Sequence, residues 1–150
     1  MNPAIELLEL PIPPETPDAI RAALGRHWAA SRIGDPGGEN DIYHEDAICE
    51  YPQSGERVLG SHNLRALREQ FPAAPTLSVR RVFGSGDLWI TESEITYEGR
   101  IVHYVSIMEF RDGKVARETQ YITDPFTARK WRQQFVEQKP STPESNGSSG

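Results

Sequence analysis

Three side chains of this sequence whose types could carry acid–base chemistry are an imidazole, a phenol and a carboxyl: His27, Tyr51 and Glu118. Histidine titrates nearest neutrality and can carry a proton in either direction. His27 shares one face with Ile20, Leu24 and Trp28 at helical spacing. It is therefore either a neutral, hydrogen-bonded filler on a core-facing helix or a proton carrier in a cavity. Tyr51 is the last large residue before the break in "CEYPQSGERVLG", where a strand pattern runs into Pro52. A phenol with a reference pKa of about 10 donates a hydrogen bond at neutral pH and does not abstract a proton. Glu118 is either a partly solvated strand acid or a buried one that shares proton abstraction with His27. Gln120 can address a carbonyl or hydroxyl group, or pair with Tyr51.

Other chemistries are excluded by residue type and spacing. The single cysteine, Cys49, sits in an apolar strand pattern; it forms no internal disulfide and reads as a small buried hydrophobe. No two of the four histidines have ligand spacing with an acid, so no metal is expected. "GSG" at Gly84–Gly86 lies between two strands and opens no helix, which makes it a turn and not a phosphate cradle, and no cofactor is expected. The formal net charge is −6, with 16 basic residues against 22 acidic ones and no basic stripe, so nucleic acid is not an expected partner. No apolar run is long enough to span a bilayer. The start, with Glu6 and Glu9 inside "IELLEL", lacks the basic residues of a secretory signal. The expected compartment is the cytoplasm.

The elements that must hold these side chains follow from periodicity. One domain is expected over residues 1–138, with a disordered tail, "KPSTPESNGSSG", over 139–150. "LPIPPETP" is a proline-stiffened approach. Thr16, Pro17 and Asp18 read as cap, first turn and favourable charge of a helix that Gly34 ends. "GENDIYHEDA" can hold a second short helix. Ala47–Tyr51 and Arg57–Leu59 pair around the turn. Ser61 caps a helix with Leu64, Leu67 and Phe71 on one face. After Pro75 the period changes to that of four long strands, "TLSVRRVFG", "DLWITESEITY", "RIVHYVSIMEF" and "KVARETQYIT". Their tight joints make them antiparallel. Asp124-Pro125 opens a last short helix through Trp131 and Phe135. Helices first and strands later give an α+β domain.

This order, together with "YHEDAICEYPQSGERVLGSHNLRALREQFP" and "EFRDGKVARETQYITDPF", resembles the SnoaL-like families of the nuclear transport factor 2-like superfamily over about residues 17–137. The resemblance implies a cystatin-like cone, in which a curled antiparallel sheet wraps the N-terminal helices and leaves a deep, largely apolar pocket. In the ketosteroid isomerases of this superfamily the residue before the proline is an aspartate base; here it is Tyr51. Their helical tyrosine falls on His27 and their protonated strand acid near Ser106. An acid of the epoxide hydrolases falls near Gln120. If Ser106 faces the pocket, alternation turns Tyr104 and Met108 with it, and the Glu98-Gly99 turn brings Trp89, Thr91 and Ser93 to the same face. The match turns Glu118, Gln120 and Ile122 inward, and a β-bulge would bring Glu92 in instead.

These readings assign His27, Tyr51 and Glu118 to catalysis and Trp89, Tyr104, Ser106, Met108 and Gln120 to substrate binding. Three function classes stay open. One is an acid–base enzyme (isomerase, cyclase or hydrolase) on an apolar carbonyl-bearing or polycyclic substrate. Another binds such a ligand without turnover. The third is an interaction module filled by its own side chains. The expected partners are a small apolar molecule and a second copy of the chain. Ile90, Val105 and Ile107, mixed with Glu92, Glu94, His103 and Glu109, form an outer sheet face too apolar for open solvent, and the resemblance implies a homodimer packed through it.

Overall fold

A 16-residue helix, α1 (Asp18–Ile33), opens the fold. Its buried face carries Leu24, His27, Trp28 and Ala30. Gly34 stops it in the left-handed conformation, φ 72° and ψ 46°, where the side chain of any other residue would be strained. At its start the N-cap position is Pro17, not Thr16. The expected hydroxyl cap is not made, because Thr16 stands one residue too early; its buried Oγ1 has no partner among the described residues. The structure, a computed structural model, describes residues 6–71, 73 and 76–140. Most of the tail expected from Lys139, and both Pro72 and Pro75, lie outside the described residues.

The second helix, α2 (Pro36–Asn40), is a single turn capped by Asp35, whose side chain accepts from the Gly38 N–H at 3.1 Å. It ends before Asp41; Asp41 and Ile42 form a turn, and the rest of the stretch expected to hold it is already strand. β1 (Tyr43–Tyr51) pairs with β2 (Glu56–Leu59), with Tyr51 opposite Glu56 at the end of the ladder. The Tyr51 carbonyl accepts from the N–H groups of Ser54 and Gly55, which closes the turn after Pro52. α3 (Ser61–Glu69) follows, with Gly60 and not Ser61 in the capping position.

The four long strands are β3 (Ser78–Ser85), β4 (Leu88–Tyr97), β5 (Arg100–Arg111) and β6 (Lys114–Thr123). They pair as antiparallel neighbours. β6 then pairs with β1 in parallel, so the six-stranded sheet is mixed, in the order β2-β1-β6-β5-β4-β3. Gly84 on β3 permits a close approach, because a Cβ there would lie 2.1 Å from the carbonyl oxygen of Leu88.

Side-chain alternation divides the sheet. Trp89, Thr91 and Ser93 of β4, Tyr104, Ser106 and Met108 of β5, and Glu118 and Gln120 of β6 are buried on the helix side. Trp28 meets Tyr104 edge to face at 5.7 Å between ring centres, which seats α1 against β5. Register shifts fall at Glu109/Phe110 on β5 and at Val79/Arg81 on β3, opposite Glu92, but β4 itself runs against β5 without one. Glu92 therefore stays on the outer face, where it pairs with Arg81 at 3.1 Å.

The last helix expected does not form. Residues 124–140 are all exposed, and only Lys130–Arg132 makes one 3-10 turn. Trp131 and Phe135 do share a helical face, but in a single chain that face has nothing to pack on, and so short a helix is not stable by itself.

Candidate functional site

A cavity of about 620 Å³ opens between α1, α3 and the concave side of the sheet. Trp28 from α1, Tyr51 from β1, Tyr104 from β5 and Gln120 from β6 border it, with Ile33, Phe71 and Ile122 at its partly exposed rim. Of the residues expected in the pocket, Tyr51, Tyr104 and Gln120 are thus brought together. His27, Glu118, Trp89, Ser106 and Met108 are buried but do not border the cavity. Trp89 turns into the packed core and donates its indole N–H to the Gly86 carbonyl at 2.9 Å. Ser106 and Met108 face inward as alternation requires, but other side chains cover them.

Behind the wall lies a buried polar chain. Glu118, fully shielded from solvent, accepts from Tyr43 Oη and Ser106 Oγ, both at 2.5 Å, and lies 3.5 Å from Nη2 of Arg68. Nη2 of Arg68 also donates to Tyr43 Oη at 2.8 Å, and its Nε lies 2.6 Å from Oε1 of Glu39. The guanidinium covers the Tyr43 ring at 4.9 Å. Arg68 and Glu39 border the cavity, with side chains 11% and 13% exposed.

The charge states follow from these contacts. Burial pushes the Glu118 carboxyl up, but Arg68, His27 and the hydrogen bonds from Ser106 and Tyr43 together outweigh it and hold the group below the usual carboxylate range. Glu118 is thus an ionised acceptor. Both oxygens are occupied, an arrangement that suits structure better than proton abstraction. Burial drives the Tyr43 and Tyr104 phenols well up, so both remain protonated donors. Burial also raises Tyr51, and pushes the Cys49 thiol up to about 12, which leaves that cysteine unreactive at neutral pH.

His27 is held from both sides. Its Nδ1 lies 2.8 Å from the Glu39 carbonyl oxygen, which can only accept, so Nδ1 carries the proton. Burial lowers the pKa of the ring, which is therefore neutral, with a bare Nε2 that has no partner among the described residues. The ring packs edge-on against Trp28 and Tyr43, at 4.5 and 5.7 Å between centres.

Sequence reasoning missed Arg68, Glu39 and Tyr43. "LRALRE" reads as a solvated helix face, and no periodicity joins a helix, a one-turn helix and a strand end. The one available signal was the buried acid: a fully buried Glu118 requires a cation nearby. Among the described residues no group of three or more histidine, cysteine or acidic side chains is placed to hold a metal, and no helix is long and apolar enough to cross a membrane.

Residues 24–118 match the SnoaL-like domain, and the chain belongs to that family, within the nuclear transport factor 2-like superfamily. A nuclear-transport-factor-2-like protein of unknown function from Burkholderia xenovorans LB400 is 56% identical, with a TM-score of 0.72 over 82% of this chain and 97% of that one. A Kribbella flavida DSM 17836 protein, named as a suggested ketosteroid isomerase, is 22% identical, with a TM-score of 0.73 over 83% and 92% of the two chains. A de novo designed protein with a curved β-sheet shares the fold at a TM-score of 0.61, with 20% identity over 72% of this chain and 88% of its own. The last two likenesses concern the fold alone. No curated protein matches the sequence significantly.

Proposed function

We propose that this protein binds a small, largely apolar molecule bearing a carbonyl or hydroxyl group, in the cytoplasm and as a homodimer packed through the outer sheet face. The observation that carries the reading is a cavity of about 620 Å³ walled by Trp28, Tyr51 and Tyr104, with Gln120 as a buried amide on the wall. Aromatic rings supply apolar area with few polar tips, and a few fixed polar groups orient the ligand. Binding without turnover is favoured over catalysis. A general base must come within hydrogen-bond reach of the substrate, whereas His27 and Glu118 stand behind the wall.

Acid–base catalysis is the second reading, and it is favoured by the charged pair Arg68–Glu39 at the cavity wall. In that reading the Glu39 carboxylate, which borders the cavity, takes and returns the substrate proton, His27 and Glu118 hold the pair in place from behind the wall, and Tyr51 donates to an oxyanion.

Titration with 9-fluorenone tests binding through quenching of Trp28, assigned by its loss in Trp28→Phe. Saturable quenching supports the pocket; unchanged emission at the solubility limit rejects it. Migration of a double bond in an unsaturated cyclic ketone, lost in His27→Ala, would move the weight to the enzyme.

A further inference from the structure

Five charged residues border the cavity: Glu39, Glu56, Arg57, Arg68 and Glu69. Glu56 and Arg57 are exposed, and Glu69 spends itself on Arg65 at a half-exposed helix surface. Glu39 and Arg68 differ, because their side chains are only 13% and 11% exposed. Arg68 takes one oxygen of Glu39, Oε1, through Nε at 2.6 Å, while its Nη2 is committed to Tyr43 and Glu118. Oε2 of Glu39 takes part in none of these contacts.

Glu39 is also fixed in place from its backbone outward. Its N–H bonds to the Asp35 carbonyl at 2.9 Å, and its own carbonyl accepts from His27 Nδ1 at 2.8 Å. A carboxylate pinned at both backbone ends and braced by a guanidinium presents its second oxygen in one direction. That is the preorganisation a recognition group needs.

Resting on the pocket reading above, we infer that Glu39 is a specificity-determining residue that accepts a hydrogen bond from a hydroxyl group on the ligand. The ligand class is therefore a neutral, largely apolar alcohol or phenol. Charge decides against an acid. Arg68 already stands between two carboxylates, so Glu39, Glu118 and Arg68 sum to one negative charge, and an incoming carboxylate would meet repulsion. An ether or hydrocarbon of the same shape has no proton to offer Oε2.

The test uses the full chain and four probes near neutral pH: pyrene, 1-methoxypyrene, 1-pyrenol and 1-pyrenecarboxylate, each titrated by fluorescence. The native protein should bind 1-pyrenol about tenfold more tightly than 1-methoxypyrene, since a hydrogen bond to a charged group contributes at least that much, and the carboxylate should bind weakest. Glu39→Gln keeps the side-chain length and an oxygen for Arg68. It should abolish most of the preference for 1-pyrenol and leave pyrene within about twofold. Equal native affinity for 1-pyrenol and 1-methoxypyrene overturns the inference while the pocket stands. So does tightest binding of the carboxylate, or an equal loss for pyrene and 1-pyrenol in the variant. If none of the four binds, the pocket reading falls and this inference with it. The native ranking alone decides if Glu39→Gln does not fold.

Discussion

Arg68 Nη2 lies 3.5 Å from the fully buried carboxylate of Glu118, and this contact joins α3 to the middle of the sheet. Removing one partner of a buried ion pair leaves the other charge uncompensated, which costs far more than the pair contributes. Arg68→Met should destabilise the protein by about 3 kcal/mol or more in urea unfolding. Arg68→Met with Glu118→Gln should recover at least about 1 kcal/mol of that loss, because the stranded charge is gone. A double variant as unstable as the sum of its singles would show that Glu118 does not depend on Arg68.

His27 should make stability depend on pH in a window of its own. Its folded pKa lies below the reference of 6.5. Below that pH the unfolded chain takes up a proton that the buried ring refuses. The contribution is fully present above about pH 6.5 and is lost as pH falls toward the folded pKa, at up to about 1.4 kcal/mol per pH unit. Glu118, also lowered, acts in the same direction in a lower window, below its reference of 4.5. His27→Gln should flatten the melting-temperature profile just below about pH 6.5 and leave the acid limb, below the Glu118 reference of 4.5, unchanged. A variant profile parallel to the native one would refute the assignment.

Gln120 should discriminate ligands by chemistry and not by size. Gln120→Leu should weaken 9-fluorenone by about 1–3 kcal/mol and leave fluorene nearly unaffected, as expected when a buried polar group loses its partner. An equal loss for both compounds would mean that the side chain only shapes the wall.

How much of this was legible without coordinates differs by residue. The hairpins were, because Glu98 with Gly99 and Asp112 with Gly113 have positive φ throughout, the chemistry that two-residue turns require. Once those joints are set, alternation delivers Trp89, Tyr104, Ser106 and Gln120 to one side. Facing inward is a weaker property than bordering a cavity, and the pattern cannot tell them apart. Trp89 and Tyr104 have the same facing, yet only Tyr104 reaches the cavity. The Glu39–Arg68–Tyr43–Glu118 chain was not legible, since it depends on three-dimensional contacts among helices and strands whose local sequence reads as polar surface.

Association should follow from the outer sheet face. Ile90 stands opposite Ile107, and Val105 opposite Tyr121, while Glu92 and Glu94 are paired with Arg81 and Arg80. With its charges matched internally, the face is free to pack on a copy of itself. Light scattering at micromolar concentration should give twice the chain mass of 16.9 kDa for the native protein and the single mass for Ile107→Lys. A native monomer would count against the interface.

The segment after Thr123 carries Phe126, Trp131, Phe135 and Val136 with 55–77% of their surface in water. Among the described residues its one ion pair with the body joins Asp124 to Arg100, both largely exposed. In the single chain this stretch adds length without adding an interior. The heat capacity released on unfolding measures newly wetted apolar surface, and these side chains are already wet. Calorimetry of the monomer should therefore see a smaller protein than the chain length implies, and replacing Phe126, Trp131, Phe135 and Val136 by serine should leave that heat capacity nearly unchanged.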